Sequence, residues 1–317
     1  MELVERAPAC GLHIRERARE EWGVTEFPAG QLPQDANWGT APQVKQSVTE
    51  LHGYVRVSDI VSGREVIIPK FAVMFAYSGT DGYAAGNTLP EAVLYGLYEL
   101  IERDTCQMHL LDPDLRRRLP EFRVDPERAL DARCRSLLAQ AEERGGRMVL
   151  FCLPNLYGLP CVMCHVYDRY QRTRGHGGIA VRSDFRAAAF AALHEAAMQY
   201  STYDAGTRGD YRAFAARKRA SIAYADAEAL FFDGPGPAAP PASRSFPTIG
   251  AELDDVIGRL TGVDIEHILV ADTSPHEEYE LHGVKVIVPR LELWFCPKYR
   301  PSPSFEERAE ALRKELR

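Results

Sequence analysis

No apolar run in the sequence approaches the ~18–20 residues that a membrane-spanning helix needs, so no membrane association is expected. The opening stretch, MELVERAPACGLHIRERAREEW, has no apolar signal-peptide core, and the expected location is cytoplasmic. Positive charge is in short supply: 38 lysines and arginines stand against 45 aspartates and glutamates, for a net charge of −7. Phosphate backbones and anionic lipids call for a basic surface, so no nucleic-acid partner is expected. The seven cysteines are odd in number and irregularly spaced, which favours free thiols in a reducing compartment over a disulfide framework. There is no GxxxxGK[ST] phosphate loop, no GxSxG nucleophile motif, no heptad array and no repeat of 20–50 residues.

What is present is ordinary for a globular protein of one large or two smaller domains: 317 residues, 45% hydrophobic and 26% charged. Positions 12–22 can form a short charged helix, and turn residues make 28–43 a loop. YVRVSDI and REVIIPKFAVMF read as a hairpin turning at Val61-Ser62-Gly63. A polar, glycine-rich bend from Ser78 to Asn87 leads into a helix over 89–106, with Val93, Leu97, Leu100 and Ile101 as its apolar stripe. Thr88 and Glu91 form a capping-box pattern at its start. Pro113 to Pro126 reads as a link, and 127–144 as a helix ended by Gly145-Gly146. MVLFCLPN and GLPCVMCHVYD read as strands, QRTRGHGG as a basic loop, and 184–203 as a helix. A proline- and glycine-rich linker is expected at 233–247. The remaining elements are a helix at 250–262, strands IEHILVAD and VKVIVPRLELW, a proline-rich stretch at 297–303 and a charged helix at 304–315. This irregular order of strands and helices predicts an α+β fold of mixed sheets with covering helices.

Two helices carry carboxylates in telling places. At 100° per residue, Glu91 and Glu102 fall within ~20° of each other around the first helix, and Glu99 within ~80° of Glu91. Like charges so spaced destabilise a helix by a few tenths of a kcal/mol per pair. Either Arg103 or a hard divalent cation such as Mg²⁺ can offset them, with the Asn87 amide oxygen nearby. Spacing alone favours a solvated, capped helix face over a metal site. On the second helix, Glu195 and Gln199 are i,i+4 neighbours amid Phe190, Leu193, Ala196 and Ala197, beside His194. A glutamate in such surroundings is expensive to bury without a partner. Cys161-Val162-Met163-Cys164 has zinc-like spacing, but i and i+3 on a strand point to opposite faces, so buried packing is expected.

The segment SGTDGYAAGNTLPEAVLYGLYELIERD resembles the signature of the YcaO family. YVRVSDIVSGREVIIP, GLPCVMCHVYD, GGIAVRSDFRAAAFAALHEAAMQYSTYDAGTRGD, FPTIGAELDDVIGRL and HGVKVIVPRLELW follow in family order, over about residues 50–296. The resemblance implies a YcaO-like domain at 51–300, with a reduced N-terminal segment at 1–50 and a charged C-terminal helix at 301–317. It also implies ATP and Mg²⁺ as cofactors, and activation of a peptide backbone amide by O-phosphorylation to give an azoline, thioamide or amidine. Carried over residue by residue, Asn87, Glu91, Arg103 and Gln199 contact nucleotide, while Glu99, Glu102 and Glu195 hold metal. The resemblance assigns no catalytic residue beyond these. Glu195 and Gln199 are expected to face the same cavity as Glu99 and Glu102, and mutual repulsion to raise the carboxylate pKa values there. An earlier metal-binding helix is reduced, with Glu20, Glu21, Ser47 and Glu50 as its only candidates. Pro301 and Pro303 are internal, unlike the terminal PxPxP tail of azoline-forming members. The implied partners are a precursor peptide and a separate leader-peptide-binding or TfuA-like protein, and a homodimer is admitted. The alternative reading is a catalytically degenerate scaffold.

Overall fold

A computed structural model of the chain describes residues 19–20, 23–28, 53–70, 80–168, 175–204, 243–274, 280–292 and 304–317. The expectations for Glu21, Ser47 and Glu50, the loop at 29–43, residues 71–79 and 171–174, and the stretches at 233–242 and 297–303 lie outside them.

The described strands are β1 (Thr25–Glu26), β2 (Tyr54–Asp59), β3 (Arg64–Pro69), β4 (Tyr83–Gly86), β5 (Gly146–Leu153), β6 (Cys161–Asp168), β7 (Gly175–Val181), β8 (Leu269–Asp272) and β9 (His282–Ile287). The helices are α1 (Leu89–Leu111), α2 (Pro113–Arg117), α3 (Pro126–Ala129), α4 (Ala132–Glu143), α5 (Phe185–Asp204), α6 (Ile249–Thr261) and α7 (Phe305–Glu315). No described helix is long and apolar enough to cross a membrane. The fold is α+β, and the chain divides into two compact units: Met1–Gln107 with Phe246–Ala311, and Met108–Ser245 with Leu312–Arg317.

The first unit is built on a six-stranded sheet in the order β1-β3-β2-β8-β9-β4. Neighbours run antiparallel except β1 beside β3. The β2–β3 hairpin turns where expected, and Gly63 takes a positive φ of 68° that a side chain would resist. Asp59 ties the turn to the strand after it. Its carboxylate accepts from Ser62 Oγ (2.7 Å) and the Val61 and Ile268 N–H groups, and pairs with His267 Nδ1 at 2.9 Å. Burial pushes the Asp59 carboxyl up, but these hydrogen bonds together outweigh it and hold it below the ordinary range.

Helix α1 carries the predicted stripe: Val93, Leu97, Leu100 and Ile101 are all buried. It lies hard against β9, because a Cβ on Gly96 would stand 2.6 Å from Val286 Cγ2. Further along, Asp104 joins a fully enclosed ionic group. Arg308 on α7 reaches Asp104 (2.5 Å) and Glu292 (3.2 Å), and the Glu292 N–H donates to Asp104 at 2.7 Å. All three residues are buried.

The second unit holds a three-stranded antiparallel sheet, β5-β6-β7, covered by α4 and α5. Leu150, Val162, Val166, Ala180, Ala188, Ala192, Leu193 and Ala196 are among its core residues. Three sequence expectations are corrected in this unit. Gly175–Gly178, read as loop, are strand residues of β7, with Gly177 opposite His165 and Gly178 opposite Cys164. A Cβ on Gly178 would lie 2.1 Å from the Ala192 carbonyl oxygen, so glycine is there for close packing rather than for a turn. The helix expected over 127–144 is two, because Asp131 caps α4 by accepting from Cys134 N at 2.8 Å. The link from Pro113 to Pro126 contains α2 and a 3₁₀ turn at Leu119–Phe122. Asp112-Pro113 and Asp125-Pro126 start α2 and α3 in the same way, with an aspartate cap and proline in the first turn. Cys161 and Cys164 are buried in β6, and no disulfide joins Cys106, Cys134, Cys152, Cys161 or Cys164.

Candidate functional site

In the first unit, the predicted residues of α1 fall into two groups. Asn87 and Glu91 sit at the helix start, where both the backbone N–H (2.7 Å) and side-chain amide (3.1 Å) of Asn87 donate to Glu91 Oε2. The Glu91 N–H in turn donates to Thr88 Oγ at 3.3 Å, which completes the cap with the glutamate reaching one residue beyond the usual box. Glu99, Glu102 and Arg103 form the second group. Glu91 shares their face of the helix but lies about 16 Å away from Glu102 along the axis, at 1.5 Å per residue.

Arg103 is the hub of the second group. Its Nε stands 3.2 Å from Asp81, one terminal nitrogen 2.7 Å from Glu102, and the other 3.3 Å from Glu99. Glu99 also accepts from the Gly82 N–H at 2.8 Å. Asp81 and Gly82 form the turn into β4. Gly82 has φ of 83°, and a Cβ there would lie 2.4 Å from the Val286 carbonyl oxygen. Lys285 is buried on β9 beneath this turn and donates from Nζ to the Asp81 carbonyl at 2.6 Å. Its ammonium also lies 4.4 Å from the centre of the Tyr83 ring. Burial pushes the Lys285 ammonium down to about 8, while Asp81 and Glu99 act against the fall. Burial likewise pushes the Glu99 carboxyl up. The Gly82 N–H and Arg103 pull against that without cancelling it, and the Asp81 charge adds to it. The expected rise is present at Glu99, but dehydration is its main cause and repulsion a lesser one.

The sequence reading missed Asp81 and Lys285. Asp81 lies inside the signature segment, in the turn before the helix. Lys285 had a signal: it is the lone charge in the apolar run VKVIV, where burying an ammonium needs a reason.

The donor chemistry of Asp81, Glu99 and Glu102 suits a hard divalent cation, being oxygen throughout. Asp81 Oδ2 is buried without a hydrogen-bond partner, an oxygen that a cation would satisfy. The three carboxylates do not form a cage: among the described residues no three His, Cys, Asp or Glu side chains converge on one point. Arg103 binds all three instead.

In the second unit, Glu195 and Gln199 are partners. Gln199 Nε2 donates to Glu195 Oε1 at 3.2 Å, and Glu195 Oε2 accepts from the Ile179 N–H of β7 at 2.9 Å. Glu195 thus satisfies a backbone donor of the strand under α5. His194 is exposed and stacks on Phe190, whose ring lies under the Arg133 guanidinium at 3.8 Å.

Asp81, Glu99, Glu102 and Arg103 thus form one carboxylate–arginine group on α1 and the turn before β4, and the sequence carries no GxxxxGK[ST] phosphate loop. The model of one family, described as YcaO cyclodehydratase, ATP- and Mg²⁺-binding, matches residues 1–292. The chain belongs to the YcaO family. An uncharacterised protein in the tfuA 3′ region of Rhizobium leguminosarum bv. trifolii is 31% identical over 260 residues, 76% of this chain and 61% of the relative. The chain therefore spans about three-fifths of that relative's length. The heterocyclase TruD shares the fold with a TM-score of 0.67 at 19% identity, covering 90% of this chain and 43% of TruD. The YcaO protein of Methanopyrus kandleri, solved with AMPPCP and Mg²⁺, shares it with a TM-score of 0.59 at 18% identity, covering 78% and 69%.

Proposed function

We propose that the protein is an ATP- and Mg²⁺-dependent enzyme of peptide modification that activates a backbone amide, and that its product is a thioamide made with a TfuA-type partner. The observation that carries the ATP reading is Arg103 threaded through Asp81, Glu99 and Glu102 on the family's signature helix. The thioamide reading rests on the relative encoded beside tfuA.

The reaction joins the amide oxygen of the peptide to the γ-phosphorus and releases ADP. Sulfide then adds to the amide carbon, inorganic phosphate leaves with the former amide oxygen, and a proton is lost to leave C=S. Mg²⁺ would supply charge neutralisation for the phosphates of ATP. Glu99, Glu102 and Glu195 are each assigned to metal contact, and Asp81 would add its buried oxygen that has no hydrogen-bond partner. Arg103 offers a planar fork of donors to phosphate. Asn87, Glu91 and Gln199 are assigned to nucleotide contact. Phosphoryl transfer asks mainly for positioning and charge stabilisation, which this set of groups supplies.

The test combines the protein with a candidate precursor peptide, a TfuA-type protein, ATP, Mg²⁺ and sulfide. Phosphate release together with the mass gain of exchanging one oxygen for one sulfur supports the reading. Failure to bind Mg-ATP in calorimetry at millimolar concentration sinks it. The double change Glu99→Ala, Glu102→Ala should abolish turnover while the protein stays folded.

A further inference from the structure

Strand β9 presents Val284, Lys285, Val286 and Ile287, and every one of them is fully enclosed. An ammonium in such a place costs several kcal/mol that a methionine or leucine of similar volume would not. Its surroundings say what it is held for. Lys285 Nζ donates to the Asp81 carbonyl, and the next residue, Val286, donates its N–H to the Gly82 carbonyl at 2.8 Å. Two consecutive residues of β9 therefore grip two consecutive carbonyls of one turn. From that turn the Asp81 carboxylate reaches Arg103 and the Gly82 N–H reaches Glu99. The Tyr83 ring, next in the chain, covers the ammonium.

We propose that Lys285 is a positioning residue: by holding the Asp81–Gly82 turn to β9 it sets Glu99 and Arg103 at the spacing that receives a divalent cation and its phosphate ligand. This rests on the nucleotide reading above. Lys285 touches the turn through a backbone carbonyl, so its part is to aim other groups. Val286 N–H holds the Gly82 carbonyl and Lys285 Nζ the Asp81 carbonyl, so without the lysine the Asp81 carbonyl loses its contact with the β9 side chain. Outer groups of this kind typically change metal affinity by about 10–100-fold when removed.

The experiment compares wild type with Lys285→Met and Lys285→Arg. Three quantities are read: unfolding temperature, Mn²⁺ affinity of the nucleotide-free protein, and amide hydrogen exchange at Gly82. Lys285→Met removes a buried ammonium but also takes a donor from the Asp81 carbonyl, so it is expected to unfold near the wild-type temperature. Its Gly82 amide should exchange faster, its Mn²⁺ affinity should fall by about 10–100-fold, and Lys285→Arg should recover most of both. A folded Lys285→Met protein with wild-type Gly82 protection and Mn²⁺ affinity overturns the proposal. Should Lys285→Met not fold, Lys285→Gln takes its place: faster Gly82 exchange with weaker Mn²⁺ binding supports the proposal, and wild-type values of both overturn it. Wild-type protein that binds neither Mn²⁺ nor Mg-ATP sinks the nucleotide reading instead, and Gly82 exchange still decides whether Lys285 holds the turn.

Discussion

Replacing Gly178 with alanine tests how closely α5 lies on β7. The added Cβ would stand 2.1 Å from the Ala192 carbonyl oxygen, 2.5 Å from the Ala196 nitrogen and 2.9 Å from Glu195 Cβ. The first two are helix backbone atoms and cannot rotate aside. Restoring a tolerable separation means lifting the helix by about 1 Å, and a gap of that size forfeits a quarter to a half of each dispersion contact across it. The contacts concerned are those of Ala188, Ala189, Ala192 and Ala196, all fully buried. The same movement stretches the Ile179 N–H to Glu195 bond, now 2.9 Å, beyond hydrogen-bonding range. Overpacking of about 1–3 kcal/mol and one lost hydrogen bond of about 1 kcal/mol put the expected cost at roughly 2–4 kcal/mol. Urea denaturation followed by circular dichroism measures it as a lowered midpoint. Gly177→Ala is the control, because its Cβ meets nothing nearer than 3.6 Å and should cost under about 1 kcal/mol. A Gly178→Ala protein as stable as the Gly177→Ala one would refute the close-packing argument.

Arg308→Met should destabilise by about 3–5 kcal/mol, because it strands Asp104 and Glu292 without their cation. The triple change to apolar residues at 104, 292 and 308 should come much nearer to wild type in the same thermal melt. Burial holds His109 neutral, with its value pushed down from 6.5 to about 4, and its Nε2 lies 2.8 Å from the Pro154 carbonyl. The unfolded chain therefore takes up a proton first as pH falls. The stability involved is complete above about pH 6.5 and lost towards pH 4, roughly 3 kcal/mol in all. His165 is shifted the same way, so His109→Gln should flatten, not abolish, the slope of unfolding free energy over that window. Glu195→Gln keeps an oxygen to accept from Ile179 N–H, so unfolding should be unchanged while Mg-ATP affinity in calorimetry falls; unaltered affinity would remove Glu195 from the metal set.

Local patterns made much of the fold legible. The stripe on α1, its cap and both helices bearing carboxylates follow from spacing within a few turns of chain. Arg103 is one of two groups that the spacing offers to offset the clustered glutamates, and it does contact both Glu99 and Glu102. Tertiary causes were not legible. GHGG looks like a loop until a helix packs on Gly178, and Lys285 looks like a misplaced charge until its Nζ meets the Asp81 carbonyl. The two Asp-Pro steps at 112 and 125 did carry a readable helix-start signal, overshadowed by the arginines between them. The order of the six-stranded sheet had no local signature, because β8, which joins the hairpin at β2, and β9 beside it come from about 200 residues further along the chain.

That sheet order sets a timetable for the nascent chain. β4 pairs only with β9 among the described strands, and β2 meets β8 on the side away from β3. When β4 leaves the ribosome, its partner is still about 200 residues from being made, an interval of about 10–40 s at 5–20 residues per second. Through that time Leu97, Leu100 and Ile101 of α1, packed away in the finished protein, have no completed sheet to cover them. The β5-β6-β7 sheet spans residues 146–181 and can close early, within one emerging stretch. The half of the molecule bearing Arg103 is thus the half that must wait, and chaperone engagement during synthesis should concentrate on its N-terminal segment.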